Sequence, residues 1–350
     1  MPKAEFGRTI IEWYLENKRE LPWRNTRDPY RIWLSEVLLQ QTRVAQGLPY
    51  YQRFVEQYPT IFDLARAPET EVLKLWQGLG YYSRARNLLS TARFVAEECD
   101  GIFPDTYREL MRLNGIGPYT AAAIASFCFD EAVPVFDGNV YRVLSRYFGI
   151  REPVNSSSGR RELEALGWEV MSEEAIALYN QGIMEFGALQ CKPKSPACTQ
   201  CPLQGGCRSL SEGVVAELPI KLKKAPVLKL HFNYLVFRDP KRYTLIERRP
   251  AAGIWPGLFQ FPLWESEARK GPEEVGQYLR DHWAERVGRF GLELALSLQH
   301  RLSHRDIRSD FWWVDTELPL SVPEAVSWTS VVEYPVPVLI ERFMETVDFH

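Results

Sequence analysis

Apolar residues recur at helical spacing along nearly all of the stretch from residue 5 to about 215. Phe6, Ile10, Trp13 and Tyr14 make one stripe; Leu34, Val37, Leu38 and Gln41 make another. Breakers punctuate the pattern at Leu21-Pro22, Asp28-Pro29, Tyr58-Pro59, Phe103-Pro104 and Asn155 to Gly159. The spacing predicts a compact all-α region of roughly ten helices. From Glu217 to Pro226, two prolines and three lysines replace the stripe, which reads as a linker. Beyond it, His231 to Phe237, Tyr243 to Glu247 and Asp310 to Val314 are strand-like, rich in aromatic and β-branched residues. Glu273 to Arg286 and Val336 to Val347 read as helices packed on that sheet. The expected organisation is therefore a multidomain chain: an all-α domain over 1–216, a linker over 217–226 and an α+β domain over 227–350.

Composition narrows the function classes only a little. The chain has 350 residues, 45% hydrophobic and 25% charged, which excludes disorder as the main theme. Its formal charge is −3, so bulk basicity does not announce a nucleic-acid partner, although a local groove can bind phosphate on a neutral protein. Aromatic residues reach 13%, enough to make ring stacking part of the expected chemistry. The longest apolar stretch, Ala121 to Phe129, falls far short of the ~20 residues of a membrane span. The opening MPKAEFGRTIIEWYLENK has acids and no apolar core, so no secretory signal is visible. The default compartment is the cytoplasm, at the nucleoid if the source is bacterial.

Four features carry chemistry. Cys191, Cys198, Cys201 and Cys207 are spaced C-x6-C-x2-C-x5-C, whereas Cys99 and Cys128 are scattered and read as ordinary buried thiols. In a reducing compartment the four-cysteine run reads as a metal site, iron–sulfur or zinc, with one short hook where structural zinc usually has two. Lys192, Lys194 and Arg208 lie among these cysteines and either meet phosphate or form a solvated basic loop. In Leu110 to Ile124 a helix ends, Gly115-Ile116-Gly117 turns, and Pro118 opens the next helix. Outward amides there make an anion nest; the plainer reading is a helix–turn–helix corner.

Twenty residues on, VFDGNVYRV places Asp137 at the edge of an apolar run, as a helix cap or as a carboxylate facing developing positive charge. In LSEVLLQQTRV, Glu36 follows Ser35 in what reads as the first turn of an apolar helix. It is either a carboxylate favoured by the helix N-terminus or a general acid kept protonated by desolvation. With Asp137 it would complete the two-carboxylate arrangement used on glycosidic bonds.

These residues resemble the MutY-type adenine DNA glycosylases of the endonuclease III superfamily. The match runs through LPWR at 21–24, SEVLLQQT at 35–42, GLGYYSRARNL at 78–88, the hairpin, VFDGN and the cysteine spacing. The resemblance implies a helix–hairpin–helix domain with a [4Fe–4S] cluster on Cys191, Cys198, Cys201 and Cys207, then a MutT-like lesion-recognition domain. It implies an enzyme that flips adenine mispaired with 8-oxoguanine, or with G, out of duplex DNA and hydrolyses its N-glycosidic bond. Glu36 matches the acid that protonates adenine N7 and helps activate water. Asp137 matches the carboxylate facing the oxocarbenium ion, and Asn139 and Tyr119 match residues supporting the pair. Trp23, Arg24, Leu39 and Gln181 fall where the family contacts extruded adenine. Gln41, Thr42 and Tyr81 fall where it reads or wedges beside the lesion, and Gly115 and Gly117 where it grips phosphate.

Relatives that also cut the backbone carry a lysine where this chain has Tyr119, and a phenol cannot form a Schiff base, so a monofunctional enzyme is expected. IERRPAAGIWPGLFQFPLWE at 246–265 resembles the core of the MutT-like module, but PEEVGQYLRDHWAERVG after Gly271 lacks its paired metal-binding glutamates. In LQHRLSH at 298–304, Leu302 replaces the usual Phe of the lesion-reading loop, and Ser303 and His304 remain to hydrogen-bond the lesion. A monomer without membrane partners is expected. A thymine-directed relative and a non-catalytic lesion-binding protein are the alternatives; the C-terminal domain argues against the first, and retention of Glu36 and Asp137 against the second.

Overall fold

A computed structural model describes residues 3–223, 227–302, 304–320, 322 and 324–347. The chain divides into two compact units, Met1–Arg66 with Asn87–Lys223, and Ala67–Arg86 with Lys224–His350. Residues 67–86, expected within the helical domain, thus group with the second unit. Part of the expected linker is bonded to the first: Ile220 O accepts from Val154 N at 3.0 Å, and Leu222 N donates to Asn155 Oδ1 at 2.8 Å.

The first unit is helical. Helix α1 (Lys3–Asn17) buries Phe6, Ile10 and Tyr14, while Trp13 meets Phe186 edge-on at 4.9 Å. Helix α2 (Pro29–Leu39) starts where Asp28 accepts from Tyr30 N at 3.0 Å and Pro29 pre-sets the first turn. It stops at Leu39, because Gln41 takes a left-handed φ of 57° and Thr42 N closes a turn on Leu39 O. Gln41 therefore leaves the apolar stripe in which periodicity placed it, and is exposed.

Helix α3 (Pro118–Phe129) follows the hairpin turn and is buried from Thr120 to Cys128. Gly115 has φ 74°, and a Cβ there would sit 2.6 Å from Asn87 Cβ, so both backbone and space require glycine. Gly117 differs: its φ is −92°, and a Cβ would meet nothing within 4 Å. What distinguishes it is the open approach to the N-terminus of α3. Helix α4 (Gly138–Phe148) is capped by Asp137, and helix α5 (Ile176–Leu189) packs against α1, α3 and α4.

In the second unit, strands β1 (Leu228–Arg238), β2 (Leu263–Ser266), β3 (Phe290–Arg301) and β4 (Arg305–Thr316) form one sheet, ordered β2-β1-β4-β3. The β1–β4 pair is parallel and the others antiparallel. Phe232, Tyr234 and Val236 pack with Leu339, Ile340 and Phe343 of helix α7 (Val338–Thr346). Leu235 and Phe237 pack with Val275 and Leu279 of helix α6 (Pro272–Val287). Burial on both faces explains the nearly unbroken apolar run HFNYLVF in β1. Among the described residues no helix is long and apolar enough to cross a membrane.

Candidate active site and cluster loop

Glu36 lies eighth of the eleven residues of α2, not in its first turn. Because Asp28 and Pro29 set the helix start, the N-terminal dipole is too far away to favour its charge. Glu36 is only 7% exposed, and burial pushes its carboxyl up to about 7. The Tyr119 hydroxyl, which donates to Glu36 Oε2 at 2.5 Å, and Arg24 pull the other way, while the charge of Asp137 adds to the rise. Burial also raises the Tyr119 phenol well above its ordinary value, so it stays a donor.

Asp137 enters from the N-terminus of α4. Its Oδ1 accepts from the backbone N–H groups of Asn139 and Val140 at 2.8 Å each, and its Oδ2 accepts from Asn139 Nδ2 at 2.7 Å. Burial raises its pKa despite these donors. The preceding strand-like segment is pinned by Asn180, wholly buried on α5, whose amide bonds Val133 O at 2.9 Å and Val135 N at 3.1 Å. Capping and catalytic readings of Asp137 are thus compatible: the cap aims the carboxylate.

Arg24 reaches this neighbourhood while engaged elsewhere. It pairs with Glu185 through two hydrogen bonds of 2.9 and 2.8 Å, and Arg19 bonds the same carboxylate. Burial pushes Glu185 up, yet Arg19 and Arg24 outweigh it and hold the carboxyl down to about 2. Gln181, also on α5, accepts from the Tyr14 hydroxyl. Trp23 is buried edge-on against Tyr51 at 5.0 Å. Leu39 packs where a Cβ on Gly47 would collide with it at 2.6 Å, and Thr42 Oγ1 donates to Gln40 O at 3.3 Å.

Glu36, Tyr119, Asp137, Asn139 and Arg24 therefore converge in the first unit. Tyr81 and His304 lie in the second, both exposed; Ser303 lies outside the described residues. Gln40, passed over in favour of Gln41, donates to Thr120 Oγ1 of α3 at 3.2 Å. Glu185, Asn180 and Arg142 were likewise missed; a lone carboxylate in the apolar run GIMEFGAL was the available signal for Glu185.

The cluster loop begins where α5 ends. Cys198–Gln200 and Gln204–Gly206 are single 3₁₀ turns between the later cysteines. Burial and the neighbouring thiols raise Cys198, and burial pushes Cys201 up to about 11, with Cys191, Cys207 and Cys198 adding to it. Among the described residues no three His, Cys, Asp or Glu side chains converge as around one metal ion. A four-iron cluster places each thiolate on a different iron, so its sulfurs need not meet at one point as zinc ligands do. Four mutually interacting soft donors, with the Arg146 guanidinium 3.5 Å from Cys191 Sγ, suit an anionic iron–sulfur core.

Arg142 joins the two sites. Its Nη2 donates to Asn139 Oδ1 at 2.8 Å and to Gly187 O at 2.7 Å, and its Nε donates to Cys191 O at 2.8 Å. A Cβ on Gly187 would sit 2.6 Å from Asn139 Cβ, so glycine lets α4 and α5 approach at this point.

Comparison with known proteins identifies three matching stretches. Residues 34–171 match the family described as HhH-GPD superfamily base excision DNA repair protein. Residues 191–207 match the iron–sulfur binding domain of endonuclease III, and 233–346 match the NUDIX domain. The adenine DNA glycosylase of Buchnera aphidicola subsp. Baizongia pistaciae is 37% identical over 268 residues, covering 75% of this chain and 74% of that one. The Homo sapiens adenine DNA glycosylase is 32% identical over 387 residues, covering 94% and 71%. The chain belongs to the MutY-type adenine DNA glycosylase family.

It is a DNA N-glycosylase of base excision repair that excises adenine, with DNA as its partner and an iron–sulfur cluster as its cofactor. A thermostable thymine-DNA glycosylase superposes with TM-score 0.56 at 30% identity, covering 60% of this chain and 97% of that one. An endonuclease III in non-covalent complex with DNA gives 0.53 at 25%, covering 61% and 98%. Both solved structures thus account for about three-fifths of the chain, whereas the human relative spans nearly all of it.

Proposed function

We propose that this enzyme removes adenine opposite 8-oxoguanine, and opposite G, by base flipping and hydrolysis, acting as a monomeric, monofunctional glycosylase that leaves an abasic site. The observation that carries the reading is the pairing of Glu36 with Tyr119 beside Asp137. Tyr119 donates to Oε2 of Glu36, so a proton on that carboxyl resides on Oε1, free to pass to N7 of an inserted adenine. With a carboxyl titrating at about 7, a large fraction carries that proton at neutral pH.

As the glycosidic bond breaks, Asp137 faces the developing oxocarbenium ion, held in place by three hydrogen bonds. The ionised Glu36 left behind then accepts a proton from the attacking water. Trp23, Arg24, Leu39 and Gln181 line the adenine's position; Gln41, Thr42, Tyr81, Ser303 and His304 read the opposite base; the backbone at Gly115 and Gly117 takes a phosphate. The iron–sulfur cluster, held by Cys191, Cys198, Cys201 and Cys207, supplies a rigid cross-link of the loop when bound. The Tyr119 phenol cannot form a Schiff base.

Borohydride trapping tests the monofunctional reading. Product strands should stay intact until alkali is added, with no covalent protein–DNA adduct after reduction. Strand breaks without alkali, together with a trapped adduct, would contradict it.

A further inference from the structure

Within the second unit, the segment Ala67–Arg86 is held to the rest of the unit on either side of a strained turn. On one side, Gln77 Nε2 donates to Glu341 Oε1 at 2.7 Å, and Gln77 Oε1 accepts from Val336 N at 3.3 Å. Lys74 Nζ donates to Tyr334 O at 3.3 Å beside it. On the other side, Arg86 Nη1 donates to Pro256 O at 2.5 Å, and Arg248 pairs with Glu69 at 3.0 Å. Gly257 (φ 75°) sits among these charges: a Cβ there would be 3.5 Å from Arg248 Nη2 and 3.6 Å from Arg86 Nη1.

Between the two grips, Gly78, Gly80 and Tyr81 all take positive φ, at 94°, 71° and 49°. For Tyr81 this is a conformation that L side chains disfavour and that persists only where the surroundings dictate it. Inside the turn, Trp76 Nε1 donates to Gly80 O at 3.0 Å, and the Arg84 guanidinium lies 5.0 Å from the Trp76 ring and 5.8 Å from the Tyr81 ring. The Tyr81 side chain is nonetheless 49% exposed. A half-exposed aromatic residue is thus held at the surface on a firmly fixed turn.

We propose that Gln77 and Arg86 are positioning residues through which the second unit sets the Tyr81 turn. Part of that unit's contribution to opposite-base selectivity is then delivered through Tyr81 rather than through the loop at 298–304. This rests on the proposed reading of Tyr81 as an opposite-base residue.

The test is the ratio of single-turnover excision on A opposite 8-oxoguanine to that on A opposite G, measured with the full-length holoenzyme. Gln77→Glu sets two carboxylates against each other and should lower the ratio roughly fivefold to tenfold, the scale of one lost polar contact. Adding Glu341→Gln rebuilds the amide–carboxylate bond with its roles exchanged and should return the ratio to within about twofold of wild type. In a Tyr81→Ala background, Gln77→Glu should have no further effect on the ratio. Arg86→Gln, which loses the Pro256 contact, should behave like Gln77→Glu and serves if that variant does not fold. If Tyr81→Ala alone leaves the ratio unchanged, the reading of Tyr81 is wrong and the proposal falls with it. If Tyr81→Ala lowers the ratio but the Gln77 and Arg86 variants do not, or act equally without Tyr81, or are not rescued, Tyr81 keeps its role and the positioning proposal is overturned.

Discussion

Tyr119 donates to Glu36 Oε2 across 2.5 Å, and this bond works against the burial that raises the Glu36 pKa. A donor to a carboxylate stabilises the ionised form, so the phenol holds the acid near neutrality rather than above it. Removing it by Tyr119→Phe should raise the Glu36 pKa beyond about 7 and move the alkaline limb of the rate profile to higher pH. In wild type, excision should fall as pH rises through about 7, since only the protonated carboxyl donates. Single-turnover rates from pH 5 to 9 check both statements; an unmoved midpoint in the variant would show that Tyr119 does not tune this proton.

Asp137 caps α4 and, in the proposed mechanism, faces the reacting sugar. Asn is also a good cap, so Asp137→Asn should keep the helix and bind duplex within about an order of magnitude of wild type. Excision should nonetheless be lost, because an amide carries no charge to oppose an oxocarbenium ion. Electrophoretic binding and single-turnover excision on one preparation separate these effects; near-normal turnover would remove Asp137 from the mechanism.

Arg142 ties Asn139 to the Cys191 carbonyl, so the cluster loop and the catalytic cap share one guanidinium. Lysine lacks the planar fork needed for these contacts. Arg142→Lys should slow excision at least ~10-fold, a loss near 1.4 kcal/mol of transition-state positioning, while iron content stays near roughly four per chain. Iron analysis beside kinetics decides the point: unchanged excision would mean that the link carries no positional information.

Glu185 stabilises the first unit through Arg19 and Arg24. Its folded-state pKa of about 2 lies below the ordinary 4.5, so its contribution is present above about 4.5 and is lost as pH falls through about 2. That difference corresponds to ~3 kcal/mol. Glu185→Gln should therefore destabilise strongly at pH 6 and by less at pH 3, as read by urea denaturation. A gap independent of pH would mean that packing, not charge, is what the substitution removes.

How far the chain is legible without its structure depends on how far apart the partners lie. Asp137 shows in VFDGN because cap and apolar run are contiguous. The start of α2 shows in Asp28-Pro29, yet Ser35 mimics a cap and so points to a first turn at Glu36; Ser35 instead donates to Ile32 O inside the helix. The lone carboxylate in GIMEFGAL marks Glu185, but its ion pairs cannot be read, since Arg19 and Arg24 stand 166 and 161 residues away. Strand β3, only partly buried along its length, has no continuous apolar run to betray it. The grouping of 67–86 with the second unit is equally hidden, because helical periodicity says how a segment coils and not which neighbour it packs on.

The loop at 298–304 offers a further check on the second unit. Leu302 packs on its core, and His304 is exposed at the turn between β3 and β4. Ser303→Ala with His304→Ala should lower the preference for 8-oxoguanine over G by about one to two decades, the value of a directional pair of contacts. An unchanged ratio would place lesion reading elsewhere.

The most direct measurement is single-turnover excision, developed with alkali, on duplexes carrying A opposite 8-oxoguanine, A opposite G and T opposite G. Wild type should cut the first fastest, the second more slowly and the third not at all, and Glu36→Gln and Asp137→Asn should cut none. Equal rates on the first two duplexes, release of T, or retained activity in either variant would contradict a two-carboxylate adenine glycosylase directed by the lesion.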